Sequence, residues 1–139
     1  MSQQIAEKFV NALHKLEETR DVEEIASLYA DTAEVVNVVA PTKFHGQAGA
    51  REFWTKYRES FGEMRSEFRN KIYTDDRAAL EWTTTGNANN NHQIVYSGVT
   101  ILEIENDRIT RSCAYFNSQD LGKQMESGAP PKPNQAVSA

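Results

Sequence analysis

The stretch that decides the fold, residues 94–117, reads IVYSGVTILEIENDRITRSCAYFN. Val, Ile, Thr and Tyr dominate its two arms, and these residue types suit a pleated, half-buried surface. The arms meet at the polar break Glu105-Asn106-Asp107. The pattern predicts a long β-hairpin at the centre of an antiparallel sheet.

The remaining elements follow from the spacing of apolar residues. Helical spacing predicts helices over about 2–18, 21–30 and 50–61, the last stopped by Gly62. A β-rich run over 33–39 is stopped by Pro41, and a period of two predicts strands over 64–73 and 79–84. The predicted order is therefore helix, helix, strand, helix and four antiparallel strands.

Three local details are predicted as well. Asp21 caps the second helix while Glu24 reaches back to its start, in the manner of a capping box. His14 lies opposite the apolar stripe of the first helix and is expected to face water. The less polar face of the strand over 64–73 is expected to carry every second residue, namely Met64, Ser66, Phe68, Asn70 and Ile72.

Composition and charge limit the function classes. The chain has 139 residues and a net charge of −5, and no face carries the Lys/Arg cluster that nucleic-acid binding needs. Its N-terminal residues contain no long apolar run, so neither a signal peptide nor a membrane segment is expected. A cytoplasmic location is therefore expected. The lone Cys113 suits a reducing compartment and is expected to be buried and inert. No residue spacing suggests a metal site or a cofactor site.

One domain over residues 1–126 and a disordered tail over 127–139 are predicted, because the tail is rich in proline and small residues. Three amphipathic helices need apolar surface to cover, and the concave face of the sheet supplies it. The fold class is thus α+β. Trp54, Trp82 and Phe68 are expected at the centre of this contact.

Three stretches resemble the nuclear transport factor 2-like superfamily, especially its SnoaL-like and ketosteroid isomerase-like branch. They are Leu28-Tyr29-Ala30-Asp31 with Ala33-Glu34-Val35, the Gly46-x-x-x-Ala50-x-x-Phe53 entry to the third helix, and Asp107-Arg108-Ile109 leading to Tyr115-Phe116. The resemblance covers about residues 3–126. It implies a cone-shaped barrel of a curved, mostly antiparallel sheet with helices on its concave face. It also implies a deep pocket for a small hydrophobic molecule and a homodimer formed through the sheet.

The chain departs from the family at the positions that carry its chemistry. In a ketosteroid isomerase-like enzyme a carboxylate moves the proton, while a tyrosine and a protonated aspartic acid hold the oxyanion. These positions align with Asn37, Phe9 and Thr100, and the aspartate usual in SnoaL-like cyclases aligns with Asn117. An amide cannot exchange a proton near neutral pH, so neither asparagine can be a general base.

Polar and aromatic residues at the family's pocket positions are the candidate ligand contacts. The asparagines either hydrogen-bond a ligand or satisfy backbone groups at strand ends. Tyr115 and Asn117 share one face of the last strand and Phe116 the other, so a one-residue shift in register exchanges them. The candidates are Asn37, Phe53, Trp54, Tyr57, Phe68, Trp82, Thr84, Thr100, Tyr115 and Asn117.

Two functions remain open on the sequence. One is a small-molecule-binding protein that acts as a cofactor-free isomerase, cyclase or lyase on a hydrophobic cyclic or polyketide-like substrate. The other is a non-catalytic ligand-binding or dimerisation domain that lacks the family's carboxylates. The missing acids favour the second, and an aromatic pocket with amides favours the first.

Overall fold

The computed structural model describes residues 2–128 and contains four helices and six strands within them. The helices are α1 (Ser2–Thr19), α2 (Glu23–Ala26), α3 (Gly46–Glu59) and α4 (Ser118–Ser127). The strands are β1 (Tyr29–Asn37), β2 (Ala40–His45), β3 (Phe61–Tyr73), β4 (Arg77–Ala88), β5 (Gln93–Glu105) and β6 (Arg108–Phe116).

All six strands form one sheet in the order β2-β1-β6-β5-β4-β3. The pair β1–β6 is parallel and every other pair is antiparallel. The hairpin β5–β6 lies in the middle, as the sequence predicts. Asn106 and Asp107 form its two-residue turn, and both have positive φ, which is the geometry of the turn that matches the twist of a hairpin.

The sheet is curved but unclosed, since β2 and β3 are its two edges. The predicted α+β class is confirmed, while the word barrel overstates the closure. Helix α1 packs on β3, and α3 packs on β1. One apolar cluster fills the space between helices and sheet, and a second lies around Trp82 and Tyr96. Trp54 and Trp82 are buried in these clusters, and Phe68 packs against both.

Three predicted boundaries are wrong, because strand pairing in the sheet overrides local preferences. Helix α2 is one turn long, since Tyr29 already pairs with Ile109 in the sheet. Asp21 still accepts the N–H of Glu23 (3.0 Å), without the reciprocal contact of a capping box. Pro41 was expected to end extended structure, but it lies within strand β2. Because β2 is at the edge of the sheet, it tolerates proline. Gly62 lies within β3 instead of ending α3.

The predicted alternation along β3 holds only in its first half. Met64 and Ser66 face inward, but the register shifts between Phe68 and Lys71. A bulge of this kind adds one residue to a strand and turns the following side chains over. Ile72 is therefore 63% exposed on the outer face, contrary to the prediction.

The sequence predicted that His14 faces water, but the structure shows a different position. Its ring is partly buried, its Nε2 lies 2.9 Å from the carbonyl oxygen of Ser66, and its edge contacts Phe68. Because β3 is an edge strand, this carbonyl has no neighbouring strand to bond on that side. The histidine thus helps α1 to cover the edge.

Gly98 allows the close approach of two strands, and we expect substitution there to be costly. A Cβ at this position would lie 2.4 Å from the carbonyl oxygen of Tyr115 and 2.7 Å from the Trp82 indole. Gly98→Ala should lower the free energy of unfolding by about 1–3 kcal/mol, measured by denaturant titration. Gly122→Ala is the control, because the added Cβ meets no atom within 4 Å. This substitution within a helix should raise the free energy of unfolding by up to ~1 kcal/mol. An unchanged Gly98→Ala protein would contradict this assignment.

Among residues 2–128, no helix is both long enough and apolar enough to cross a membrane. The predicted tail falls mostly outside the described residues, apart from Ser127, which ends α4, and Gly128.

Candidate functional site

A cavity of about 360 Å³ lies between α3, α4 and the inner face of the sheet. Its wall is mostly aromatic and aliphatic, because α3 packs its apolar stripe on β1 and β2 while α4 packs on β5. The lining residues are Asn37, Val39, Phe44, Phe53, Lys56, Tyr57, Ser60, Phe61, Tyr96, Phe116, Ser118, Leu121, Gly122 and Met125.

A narrower cleft of about 30 Å³ continues the cavity toward α1. The two spaces share five lining residues: Asn37, Phe53, Tyr57, Tyr96 and Phe116. The cleft is otherwise lined by Phe9, Leu13, Trp54, Ser66, Trp82, Thr84, Thr100 and Ala114. Its volume accommodates little more than one water-sized group, whereas the cavity falls in the range of small-molecule sites.

Two tyrosine hydroxyls are the central polar groups of this region. Tyr57 and Tyr96 line both the cavity and the cleft, and the Thr84 hydroxyl lines the cleft. Burial first, and then the neighbouring Tyr96, raise the pKa of Tyr57 well above its usual value. Burial also raises the pKa of Tyr96 to about 12. Both side chains are therefore neutral hydroxyls near neutral pH, able to donate a hydrogen bond to a ligand.

A pair of hydroxyl groups in the cleft, those of Ser66 and Thr84, lies near a buried carboxyl group. Ser66 Oγ lies 2.6 Å from Thr84 Oγ1, and the backbone N–H of Ser66 donates to Glu17 Oε1 at 3.0 Å. Glu17 is 4% exposed, and among the described residues its Oε2 has no hydrogen-bond partner. This residue is on α1 and does not itself line the cavity or the cleft.

Two further polar contacts fix the tryptophans. The indole N–H of Trp82 donates to Thr100 Oγ1 at 2.9 Å. The indole N–H of Trp54 donates to the Tyr29 hydroxyl at 3.1 Å, and this hydroxyl lies 2.8 Å from Ser112 Oγ. Buried indole and phenol groups need such partners. Both tryptophans thus have their polar atoms satisfied within the protein and offer a ligand their ring surfaces.

The structure brings seven of the ten predicted pocket residues together. Asn37, Phe53 and Tyr57 line both spaces, and four others line the cleft alone: Trp54, Trp82, Thr84 and Thr100. The other three lie outside. Phe68 packs against the two apolar clusters, Tyr115 is 48% exposed, and Asn117 caps α4.

The register of β6 explains why Tyr115 and Asn117 lie outside. Phe116 pairs with Gly98, on the face that also carries Tyr96, so Phe116 points inward and its neighbours point away. Asn117 Oδ1 accepts the N–H of Asp120 at 2.9 Å and begins α4. Asn37 Oδ1 accepts the N–H of Val39 at 3.0 Å, yet Asn37 also lines the cavity. The hydrogen bond to a backbone N–H group therefore accounts for Asn117, whereas Asn37 both accepts such a bond and lines the cavity.

Helix α4 closes one side of the cavity. Leu121, Gly122 and Met125 face the cavity, and Gln124 attaches the helix to the sheet. Gln124 Oε1 accepts the N–H of Val95 at 2.7 Å, on the part of β5 that extends past the end of β6. The four-residue spacing of Leu121 and Met125 is the sequence signal for this wall.

Sequence reasoning missed Glu17 and left Tyr96 and Phe116 out of the pocket candidates. A signal for Glu17 exists, since it continues the four-residue series Ile5, Phe9, Leu13 that faces the core. No Asp, Glu or His is found in the part of the wall that the described residues form. The wall offers neutral donors and aromatic faces, and Lys56 lies exposed at the rim, paired with Glu52 (3.3 Å).

Comparison with solved structures shows the fold. TerC, co-crystallised with polyporic acid, is 20% identical with a TM-score of 0.77, over 90% of this chain and 98% of that chain. A nuclear transport factor 2-like protein of unknown function from Burkholderia pseudomallei is 18% identical with a TM-score of 0.79, over 90% and 97%. An epoxide hydrolase of M. tuberculosis is 15% identical with a TM-score of 0.70, over 90% and 92%.

At these identities the likeness concerns the fold and not the activity. No curated protein matches the chain. A family model described as the SnoaL-like domain matches residues 6–112, which is most of the sequence and includes β1 to β5 and the first part of β6. The resemblance noted in the sequence is thereby confirmed, and the chain belongs to the SnoaL-like domain family.

Proposed function

We propose that this chain binds a hydrophobic, cyclic or polyketide-like small molecule in the cavity between α3, α4 and the sheet. One observation carries the proposal: an aromatic cavity of about 360 Å³ contains a few convergent neutral hydrogen-bonding groups. Such a site recovers affinity from apolar burial and uses its polar groups to orient the ligand. The membership in the SnoaL-like family supports the same ligand class.

The polar groups indicate where the ligand's own polar atom lies. Asn37, Tyr57 and Tyr96 line both the cavity and the cleft. A carbonyl or hydroxyl placed at this junction receives hydrogen bonds, while the rings rest against Phe53 and Phe116. Neutral hydrogen-bond donors of this kind polarise a carbonyl without placing a formal charge in the cavity. If the bound molecule is converted, the reaction is a cofactor-free isomerisation, cyclisation or elimination.

A non-catalytic binding domain is the second candidate. It is favoured by the absence of Asp, Glu and His from the part of the wall formed by the described residues. A general acid–base reaction needs a titratable group within reach of the ligand. Both candidates require the cavity to bind a hydrophobic molecule, so binding is the first property to test.

Thermal-shift measurements test binding directly. Polyporic acid, with which TerC was co-crystallised, and 2-tetralone are suitable probes, because each combines ring surface with a carbonyl group. A ligand present at 100 times its Kd stabilises the folded state by about 2.7 kcal/mol, which is readily measured as a rise in Tm. We expect at least one such compound to raise Tm in a saturable manner. A flat response across hydrophobic cyclic carbonyl compounds would count against the proposal.

The two asparagines make a matched pair of variants. Asn37→Ala removes an amide from the cavity wall and should weaken a ligand carbonyl's binding about tenfold, or about 1.4 kcal/mol, by calorimetric titration. Asn117→Ala removes the helix cap and should cost about 1 kcal/mol of stability without a comparable loss of affinity. Equal effects of the two changes on affinity would contradict the assignment of Asn37 to the site.

The homodimer through the sheet and the cytoplasmic location stay predictions. Exposed apolar residues on the outer face, including Val95, Ile72 and Tyr115, support such a dimer.

A further inference from the structure

The wall of the cavity has a charge of one sign. Among the described residues that line it, Lys56 carries the single charge, and the others are apolar or neutral. The narrower cleft adds no charged side chain in the part of the chain that the structure describes. A molecule that enters the cavity therefore meets an ammonium group and no carboxylate in this wall.

The register of α3 places Lys56 in the wall. Phe53, Lys56, Tyr57 and Ser60 all line the cavity, and their spacing of three, four and seven residues puts them on one face of the helix. The ammonium nitrogen of Lys56 lies 5.7 Å from the centre of the Phe44 ring, which belongs to the same wall. The charge is thus held beside the apolar rim of the cavity.

The partner of Lys56 within the protein holds it weakly. Glu52, one turn earlier on α3, lies 3.3 Å from the ammonium nitrogen, and both side chains are more than half exposed. Pairs of this kind contribute little, because water solvates both groups and each loses conformational freedom. Glu52 is not among the described residues that line the cavity. An anionic group of a ligand can therefore share or replace this partner at little cost.

The rest of the molecule does not favour an anion. The chain has a net charge of −5, so attraction of a negative ligand has to come from a local group. An anion at the rim keeps part of its hydration and avoids most of the cost of burying a charge. An apolar cavity with one cation at its rim thus suits a molecule that has a hydrophobic body and one negative end.

We propose that the ligand of this cavity is a hydrophobic cyclic carboxylate, with its rings inside and its carboxylate group at Lys56. The inference rests on the proposed function and names the ligand class within it. Lys56 contacts the ligand and determines specificity by charge, while Phe53 and Phe116 contact the rings. A cationic ligand of the same shape is repelled, and a neutral one binds without the contribution of Lys56.

Two probes of nearly the same shape test this inference by calorimetric titration at neutral pH. The probes are 2-naphthoate and 2-naphthamide, which share the rings and differ in charge. Wild-type protein should bind the carboxylate at least about fivefold more tightly than the amide. Lys56→Met keeps an unbranched apolar stem and removes the charge. It should weaken 2-naphthoate about tenfold and 2-naphthamide less than about twofold.

Two further variants isolate the local effect. Glu52→Gln removes the competing carboxylate and should tighten 2-naphthoate binding by about twofold or more, with no change for the amide. Lys123→Met removes a positive charge from an exposed position of α4, so it alters the net charge as Lys56→Met does. Its affinity for 2-naphthoate should stay within about twofold of the wild type, because exposed charges at a distance are screened.

The two proposals fail in different ways. Saturable binding of 2-naphthamide, with no preference for 2-naphthoate or no specific effect of Lys56→Met on it, overturns the role of Lys56 and leaves the binding proposal intact. An equal loss of both probes in Lys56→Met also overturns it, since Lys56 would then shape the cavity without selecting charge. If wild-type protein binds neither probe, the binding proposal fails for naphthyl ligands and the carboxylate preference fails with it.

Discussion

Tyr29→Phe should lower the free energy of unfolding by about 2–4 kcal/mol, although it removes a single oxygen atom. The Tyr29 side chain is fully buried, and its hydroxyl accepts the indole N–H of Trp54 and lies 2.8 Å from Ser112 Oγ. Phenylalanine fills the same space but leaves both of these buried groups without a partner, at about 1–3 kcal/mol each. Denaturant titration at neutral pH measures the loss.

Tyr115→Phe is the matched control, since it deletes the same atom from an exposed side chain. A surface change of this type should stay within about 0.5 kcal/mol of the wild type. Equal stabilities of the two variants would mean that the Tyr29–Trp54–Ser112 contact does not hold β1, α3 and β6 together. A further drop in Tyr29→Ala, by about 3–5 kcal/mol in total, would reflect the additional lost packing.

Gly122→Phe should abolish ligand binding, with a loss of affinity of about 100-fold or more, equivalent to ~2.7 kcal/mol. Gly122 lies in the cavity wall, and a side chain added there meets no protein atom within 4 Å at its first carbon. A phenyl ring at this position has room to extend into the cavity that Gly122 lines. Calorimetric titration with a ligand found by thermal shift gives the affinity.

Two controls separate blockage from damage to α4. Lys123→Phe places the same ring on the exposed neighbour of Gly122 and should leave the affinity unchanged. Gly122→Ala should keep binding and raise stability slightly, because alanine favours a helix more than glycine does. Undiminished binding by Gly122→Phe would place the ligand elsewhere on the protein.

The sequence predicted the central sheet well because its signals are local. The hairpin β5–β6 has a strong strand composition on both sides of a polar turn, and the structure confirms it. The errors arise where distant pairings decide. The bulge after Phe68 turned Ile72 outward, and the pairing of Tyr29 with Ile109 shortened α2. Neither effect has a signal within the segment that it changes.

The candidate site shows the same limit. Aromatic residues on α3 and β4 were expected at the pocket positions, and Phe53, Trp54, Tyr57 and Trp82 line the cavity or the cleft because their spacing fixes the face that they occupy. The inward residue of β6 was open between Phe116 and its neighbours until the pairing with Gly98 settled it. Glu17 was missed because charged residues are usually exposed, so its apolar-stripe position carried little weight against its residue type.

The central claim is that the cavity binds a hydrophobic cyclic molecule with its polar atom at Asn37, Tyr57 and Tyr96. A crystal structure of the protein soaked with 2-tetralone tests it most directly. The account predicts the rings between Phe53, Phe116 and α4, and the carbonyl oxygen within hydrogen-bond distance of at least one of the three polar groups. Density for the compound on the outer face of the sheet, with a cavity that stays free of it, would contradict the account.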